Sequence, residues 1–544
     1  MLGNMMERPL LISSLIDYAA RFHADGEIVS READKSLFRY TYGAAAARIK
    51  RVANGLRRLG INEGDRVATL AWNNHRHFEL YFGVSGIGAV LHTVNPRLFH
   101  AQLAYMINHA QDRVVFLDLG FLPLVEALAP EIPGVEHFVV LCAAAQLPAT
   151  GLRNVIAYED WIAAEREEFD WPQIDERSAS SLCYTSGTTG NPKGALYSHR
   201  STLLHTFGVC MADTLGIKAR DTVLSVVPMF HVNAWGTPYA AALVGAKFVL
   251  PGQHLDGESL CALFRDEKVT IALGVPTVWL GALKHVETTN SDFGTVQTLV
   301  VGGSAAPPVM IETLRERYGV NMIHAWGMTE MSPIGTVAGL KAKHVGKDEA
   351  ELSPVRESQG RPCYLVDLKI VDTEGRPLPW DGKTVGDLYV RGPCVIERYY
   401  QDEDADRGAF DREGWFKTGD VCSIDPDGYM RITDRSKDVI KSGGEWISSI
   451  DLENAAIGFP GVAEAAVIGV PHPKWDERPL LIVVPKDGIA IDKPALLAFL
   501  AGRVAKWWLP DDVVVVDEIP HTATGKILKT ELRTRFGTYR LPGT

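Results

Sequence analysis

Apolar residues along the first two thirds of the chain fall into short β-branched runs separated by longer stretches with helical spacing. The runs DRVATLAW from Asp65, RVVFLD from Arg113, VEHFVVLC from Val135, TVLSVVP from Thr222, VTIALGVP from Val269 and TLVVGG from Thr298 carry few polar positions. Such runs suit strands covered on both faces. Their alternation with helix-length segments, from about residue 40 to 335, predicts stacked α/β units around buried parallel sheets.

The pattern changes after about residue 360. YLVDLKIVD and GDLYVRG alternate like half-exposed strands, and the turn-rich DTEGRPLPWDGK between them predicts a small antiparallel, β-barrel-like module. From Asp434 the polar, Gly-containing DRSKDVIKSGGEW reads as a linker, with a boundary near residue 435. Beyond it an α+β pattern predicts a helix near Ser449 to Ile457, strands at AEAAVIGVP and LLIVVP, a helix near Pro494 to Val504 and a strand at VVVVDEIP. Near the start, Ser14 to Asp17 reads as a capping box opening an amphipathic helix.

Composition narrows the class. The chain has 544 residues, 46% hydrophobic and 22% charged, enough for two or more domains and a large core. The net charge of −12 argues against a polynucleotide partner but leaves room for a local basic patch around an anionic small molecule. Seven scattered cysteines without CxxC or zinc spacing predict reduced thiols. No apolar run has membrane-spanning length and no signal pattern is seen, so a soluble cytoplasmic protein is expected.

The chemistry concentrates in YTSGTTGNPKGALYSHR, Tyr184 to Arg200, with three glycines (Gly187, Gly190, Gly194), three hydroxyls (Ser186, Thr188, Thr189) and Lys193. Glycines allow close approach of backbone to an anion, hydroxyls donate and lysine neutralises, as a polyphosphate requires. A Walker loop would need glycine where Pro192 stands, and ALYS reads as a strand rather than a helix. The alternative is a plain Gly/Ser/Thr hairpin turn, which the density of donors disfavours.

Four more motifs follow in order: AWGMTE at Ala325 to Glu330, GWFKTGD at Gly414 to Asp420, DRSKDVIKSGGEWISSIDLE at Asp434 to Glu453 and TATGKILK at Thr522 to Lys529. Together with the phosphate loop they make the chain resemble, over nearly its whole length, the acyl-adenylate-forming enzymes, which comprise acyl-CoA synthetases, adenylation domains of peptide synthetases and beetle luciferases. The resemblance implies an N-terminal domain of residues 1–434 with ATP and acyl sites, and a mobile lid of residues 435–544. It also implies a two-step reaction. Carboxylate and ATP give acyl-AMP and pyrophosphate, then a thiol gives the thioester and AMP, with Mg²⁺ and coenzyme A taking part.

By this resemblance Thr185, Ser186, Gly187, Thr188, Thr189, Gly190 and Lys193 would hold the β- and γ-phosphates. Thr329 would contact the α-phosphate, and Glu330 would ligate Mg²⁺ through a hard oxygen. Asp420 would accept both ribose hydroxyls, with Arg435 adding a second ribose contact. Adenine would lie between the backbone of Gly303, Ser304 and Ala305 and the ring of Trp326, flanked by Ala325 and Gly327. Many relatives carry tyrosine at that ring position, and an indole keeps the stacking surface while losing the phenol hydroxyl. Lys526, on the lid, would reach the substrate carboxylate and α-phosphate as the adenylation cation, which makes adenylation depend on closure.

For the second step the lid would turn about a hinge at Lys437, withdraw Lys526 and present Lys441. Gly443 and Gly444, with Glu445 and Trp446, would line a narrow pantetheine tunnel. PMFHVNAWG, from Pro228, would form the acyl pocket, with His231 as gate or positioner, Val232, Asn233 and Trp235 as tunnel wall, and Gly302, Met328, Pro333 and Ile334 beside them. None of these pocket residues could pair with an α-ammonium, and the Trp235 indole would shorten the tunnel, so a short-to-medium apolar acid is expected. The resemblance is close to ligases of such acids, 3-methylmercaptopropionyl-CoA ligases among them, and implies a homodimer. Two alternatives stand beside this reading: a ligase that loads a carrier-protein thiol, and a catalytically silent sensor of acyl groups or nucleotides.

Overall fold

The computed structural model describes every residue except 2, 186–190, 443–444, 523–525 and 543–544, and only the backbone of Glu445. All six apolar runs form strands: Arg66–Leu70, Asp112–Leu117, His137–Val140, Thr222–Ser225, Ile271–Gly274 and Thr298–Val301. They divide between two sheets. The first has seven strands in the order Val155–Ala157, His137–Val140, Asp112–Leu117, Arg66–Leu70, Val90–Thr93, Ala179–Tyr184 and Gly194–Ser198. Its pairings are parallel except the last, an antiparallel hairpin.

The second sheet has nine strands. Its parallel centre contains Thr222–Ser225, Ile271–Gly274, Thr298–Val301 and Asn321–Gly327. One side is completed by Glu27–Arg31, which pairs Ile28 with Phe248, and by the antiparallel edge strand Leu37–Thr41. The α/β body therefore begins before residue 40, because the first strands of the chain join a sheet built mostly from residues 222–337. The N-terminal helix is Ser13–Phe22, with no side-chain cap. Ser14 lies inside it and donates to the Leu11 carbonyl at 2.6 Å, so the expected capping box does not form.

Between the sheets lies the helix His75–Gly86, buried on almost every face. Ser85 donates to the Ser180 carbonyl of the first sheet, and Phe78 packs on Phe248 of the second. Close approach uses glycine: a β-carbon on Gly86 would sit 2.5 Å from the Trp171 ring. This layer joins the two sheets through one continuous apolar core.

The antiparallel module comprises Asp367–Val371, Gly386–Arg391, Phe416–Ile424 and Met430–Arg435. Among the described residues it is an open sheet and not the expected barrel. Its apolar face is closed instead by Trp326 and Met331, which pack with Leu368, Val390 and Phe416. The C-terminal domain carries a sheet of five strands, dominated by the hairpin of Val462–His472 with Asp476–Pro485, and the helices Ser449–Ile457, Lys493–Ala501 and Lys529–Phe536. Ile527 and Leu528 precede the last helix, and Ile527 bridges to His521 as extended backbone.

Candidate active site

The parallel strands of the second sheet stop along one line, and their C-terminal ends carry the polar motifs, as open α/β sheets do. After Thr222–Ser225 comes the segment to His231, after Thr298–Val301 come Gly302 to Ala305, and after Asn321–Gly327 come Met328 to Glu330. Asn73 fixes the first of these. Its amide donates to the Ser225 and Val227 carbonyls at 2.8 Å each, and its oxygen accepts from Met229 N–H at 2.7 Å.

The backbone then does something no periodicity signals. Val232, Asn233, Ala234 and Trp235 have φ of 41°, 51°, 49° and 55°, and Gly236 follows at 76°. This left-handed turn is costly for L-residues, above all for a β-branched valine. Tertiary contacts hold it. The Asn233 amide donates to Ser181 Oγ at 2.8 Å, and Cys183 contacts its oxygen at 3.4 Å. The Asn233 side chain, expected in the tunnel wall, thus tethers the turn to the strand that leads into the phosphate loop. The turn delivers the Trp235 indole against Gly302, where an added β-carbon would meet the ring at 2.9 Å. Ile334 is held by a bond from its N–H to His205 Nε2 at 3.1 Å, and Met328 N–H bonds to the Pro333 carbonyl at 3.1 Å. Val232 and Ile334 are buried and Met328 is half-buried.

The phosphate loop is the connection of the hairpin Ala179–Tyr184 to Gly194–Ser198. Its base is closed by Thr185 N–H to the Lys193 carbonyl at 2.9 Å and Lys193 N–H to Thr185 Oγ1 at 3.1 Å. Ser186, Gly187, Thr188, Thr189 and Gly190 lie outside the described residues. Lys193 places its ammonium 5.0 Å from the Tyr399 ring centre, a cation–π contact. The Tyr399 hydroxyl donates to Glu330 Oε1 at 2.7 Å. Tyr197 donates to the Thr329 carbonyl. Glu330 is buried, and burial raises its carboxyl above the ordinary range against the pull of Tyr399, Arg435 and Lys193. Tyr399 and Tyr197 escaped the sequence reading because a tyrosine in ERYYQ or ALYS carries no local mark of what it will touch.

Asp420 and Arg435 sit directly opposite each other on neighbouring antiparallel strands. Arg435 Nε donates to Asp420 Oδ1 at 2.8 Å, and Trp326 Nε1 donates to Asp420 Oδ2 at 2.9 Å. The indole therefore does make a hydrogen bond, although it lacks a phenol hydroxyl.

From the C-terminal domain Lys526 enters this cluster. Its Cε lies 3.5 Å from where a Gly303 β-carbon would be. Burial and the Arg435 charge pull its ammonium down to about 8, with Asp420 and Glu330 opposing. His231 is pushed to about 3 by burial and by Lys526, which leaves it a neutral imidazole. Gly303 and Ser304 are exposed and Ala305 half-buried, beside Ala325 and Trp326, which are buried, and Gly327. In Gly327 an added β-carbon would strike the Pro333 carbonyl at 2.0 Å. Lys441 is not brought to this cluster. It is exposed on the strand Ile440–Ser442, opposite Trp446, with its N–H bonded to Glu477 at 3.0 Å. Gly443 and Gly444 lie outside the described residues, and Glu445 begins the paired strand Glu445–Ile447.

Just before Lys437, the expected hinge, the chain is tied to the C-terminal domain. The Asp434 carboxylate accepts from Ser449 N–H at 2.8 Å and from the Ser449 hydroxyl at 2.5 Å. Lys529 donates to Ser449 and pairs with Glu453 at 2.7 Å.

A fold of this kind, with Lys193 set through Tyr399 beside the buried Glu330, defines an adenylate-forming class, and the comparisons agree. The chain belongs to the AMP-binding enzyme family, whose model matches residues 17–400, and the family's C-terminal domain model matches 451–526. It is an AMP-forming acyl-CoA ligase, acting through an acyl-adenylate and then a CoA thioester. It is 53% identical to the 3-methylmercaptopropionyl-CoA ligase of Ruegeria lacuscaerulensis over 98% of this chain and 99% of that protein. It is 51% identical to the medium-chain-fatty-acid–CoA ligase of Ectopseudomonas oleovorans over 99% and 98%. Among solved structures, an anthranilate CoA ligase in complex with anthranoyl-AMP matches with a TM-score of 0.86, at 25% identity, over 98% of this chain and 99% of that one. Among the described residues no helix is long and apolar enough to cross a membrane.

Proposed function

We propose that the acid is short to medium in length and apolar, 3-methylmercaptopropionate and medium-chain fatty acids being the leading candidates. The observation that supports this is the Trp235 indole packed against Gly302 near the neutral His231, a position from which the ring would shorten an apolar acyl slot. The 3-methylmercaptopropionyl-CoA ligase and the medium-chain-fatty-acid–CoA ligase named above act on acids of this kind. A thioether fills such a slot about as well as methylene groups. A pyrophosphate-release panel of straight-chain, branched, aromatic and methylthio acids, with CoA present, tests the reading. Preference for long-chain or charged acids would refute it.

In the adenylation step Lys526, as its protonated ammonium, neutralises charge between the acid and the α-phosphate. Lys193, Thr185, Thr329 and the loop hydroxyls hold the phosphates, and Asp420 with Arg435 holds the ribose. Adenine stacks on Trp326. Glu330 fits a magnesium ligand: it is a hard carboxylate with one oxygen committed to Tyr399. Among the described residues no cluster of three carboxylates, histidines or cysteines could cage a metal. That suits Mg²⁺ arriving with the nucleotide, which keeps it on one or two carboxylates and the phosphates. Mg²⁺ there would draw charge from the leaving pyrophosphate.

The body is residues 1–434 and the lid 435–544, with the hinge at Lys437. The presence of Lys526 in the cluster and the exposure of Lys441 support an adenylation-state lid. Thiolysis then requires rotation that exchanges the two lysines and opens a tunnel past Gly443 and Gly444. The protein acts in the cytoplasm as a homodimer.

A further inference from the structure

Asp420 is 3% exposed, Trp326 is 7% exposed, and among the described residues each carboxylate oxygen has one donor, Arg435 Nε on Oδ1 and Trp326 Nε1 on Oδ2. An ionised carboxylate has about four acceptor sites, two on each oxygen. One donor on each leaves one site on each, the complement of a vicinal diol that presents two O–H groups side by side. The two donors differ in kind. Arg435 stands across from Asp420 in the same sheet, so its bond follows from strand register. Trp326 comes from the second sheet, and its bond exists only because the AWGMTE strand closes the apolar face of the module. An indole N–H donates and cannot accept, so it holds the carboxylate in one sense only. Because both groups are buried, this charge-assisted bond is stronger than an exposed one.

The indole also has a seat made for it. A β-carbon on Gly335 would lie 2.8 Å from Trp326 Cζ3. Any larger residue there would crowd Met331 Cε at 2.6 Å and the ring, and so shift the indole from the seat in which it bonds Asp420.

We propose that Trp326 is a positioning residue for ATP recognition: its N–H fixes the Asp420 carboxylate and so sets selectivity for an intact ribose diol. This rests on the reading that Asp420 takes the ribose hydroxyls. The role is separate from stacking, which any aromatic ring could supply.

The test is acid-dependent pyrophosphate release with ATP, 2′-deoxy-ATP and 3′-deoxy-ATP, using wild type, Trp326→Phe, Gly335→Ala and a protein carrying 3-benzothienylalanine at position 326. The benzothiophene keeps the ring shape and replaces N–H by sulfur, so it reports on the donor even if phenylalanine impairs folding. Wild type should lose about tenfold or more in kcat/KM for each missing hydroxyl. The variants should lose about five- to twentyfold with ATP, mostly through KM, and much less with the deoxynucleotides, so that discrimination shrinks at least about threefold. If ATP and deoxy-ATP fall equally, Trp326 only stacks and the proposal is overturned. If wild type itself fails to discriminate, the ribose assignment of Asp420 is wrong, and the proposal falls with it for a different reason.

Discussion

Lys526 of the C-terminal domain lies against Gly303 of the body, its Cε 3.5 Å from the place of a Gly303 β-carbon. A β-carbon would fit there at ordinary contact distance, so glycine is favoured at 303 by its φ of +83°, where other residues are strained. The contact puts a lysine from one domain among the carboxylates of the other.

Lys526→Ala should lower adenylate formation by about 10²–10³-fold while sparing thioester formation from supplied acyl-AMP. Stopped assays of the two half-reactions separate these. Equal loss in both would defeat the assignment.

The pH dependence has a definite sign. Lys526 must be protonated to neutralise charge, and in the free enzyme its ammonium is drawn down to about 8. The kcat/KM for ATP in the adenylation step should therefore fall as pH rises through about 8. In Lys526→Arg the alkaline limb should move beyond the accessible range, at reduced rate. An unchanged limb would assign the titration to another group.

Tyr399→Phe removes the donor to Glu330 while keeping a ring under Lys193. The Mg²⁺ concentration for half-maximal adenylation should rise about tenfold, with kcat changed much less. A magnesium titration at saturating ATP measures this. No shift would detach Tyr399, and with it Glu330, from the metal.

Lys529→Met leaves Glu453 and Asp434 buried without their cation, the situation in which breaking an ion pair costs about 3–5 kcal/mol. Burial already raises both carboxyls above their ordinary values. A folded-state value raised further in the variant means that the folded form holds protons the unfolded chain has released. Its stability should thus be lost as pH rises through the carboxylate range. Denaturant melts should show a larger deficit at pH 8 than at pH 5, and a deficit independent of pH would argue for a packing defect alone.

Trp235→Ala should shift preference toward longer acids, because the ring against Gly302 sets the depth of the slot. An unaltered chain-length ranking would remove Trp235 from specificity.

Much of the molecule was legible in one dimension. Continuous apolar runs such as RVVFLD and TLVVGG became buried parallel strands, since strands covered on both faces have no polar side to show. ALYS became a strand through its antiparallel pairing with Ala179–Tyr184, and the helix starts only after it, at His199. The left-handed turn at Val232 to Gly236 was not legible, because its strain is tolerated only through Asn233 and Ser181, which are far apart in sequence. At Ser14 the reason is local instead: the hydroxyl bonds the Leu11 carbonyl three residues back, and no capping box forms.

The sequence by itself determined the order of the motifs that mark the family, because motif spacing and hydrophobic period are local properties. Only the tertiary structure decided that Trp326 bonds Asp420, that Tyr399 joins Glu330 to Lys193, and that Lys526 rather than Lys441 faces them. Those relationships join separate sheets and domains, and hydrogen bonds or ion contacts of about 3–5 Å between them depend on how whole layers pack. No local pattern of apolar and polar residues encodes that packing.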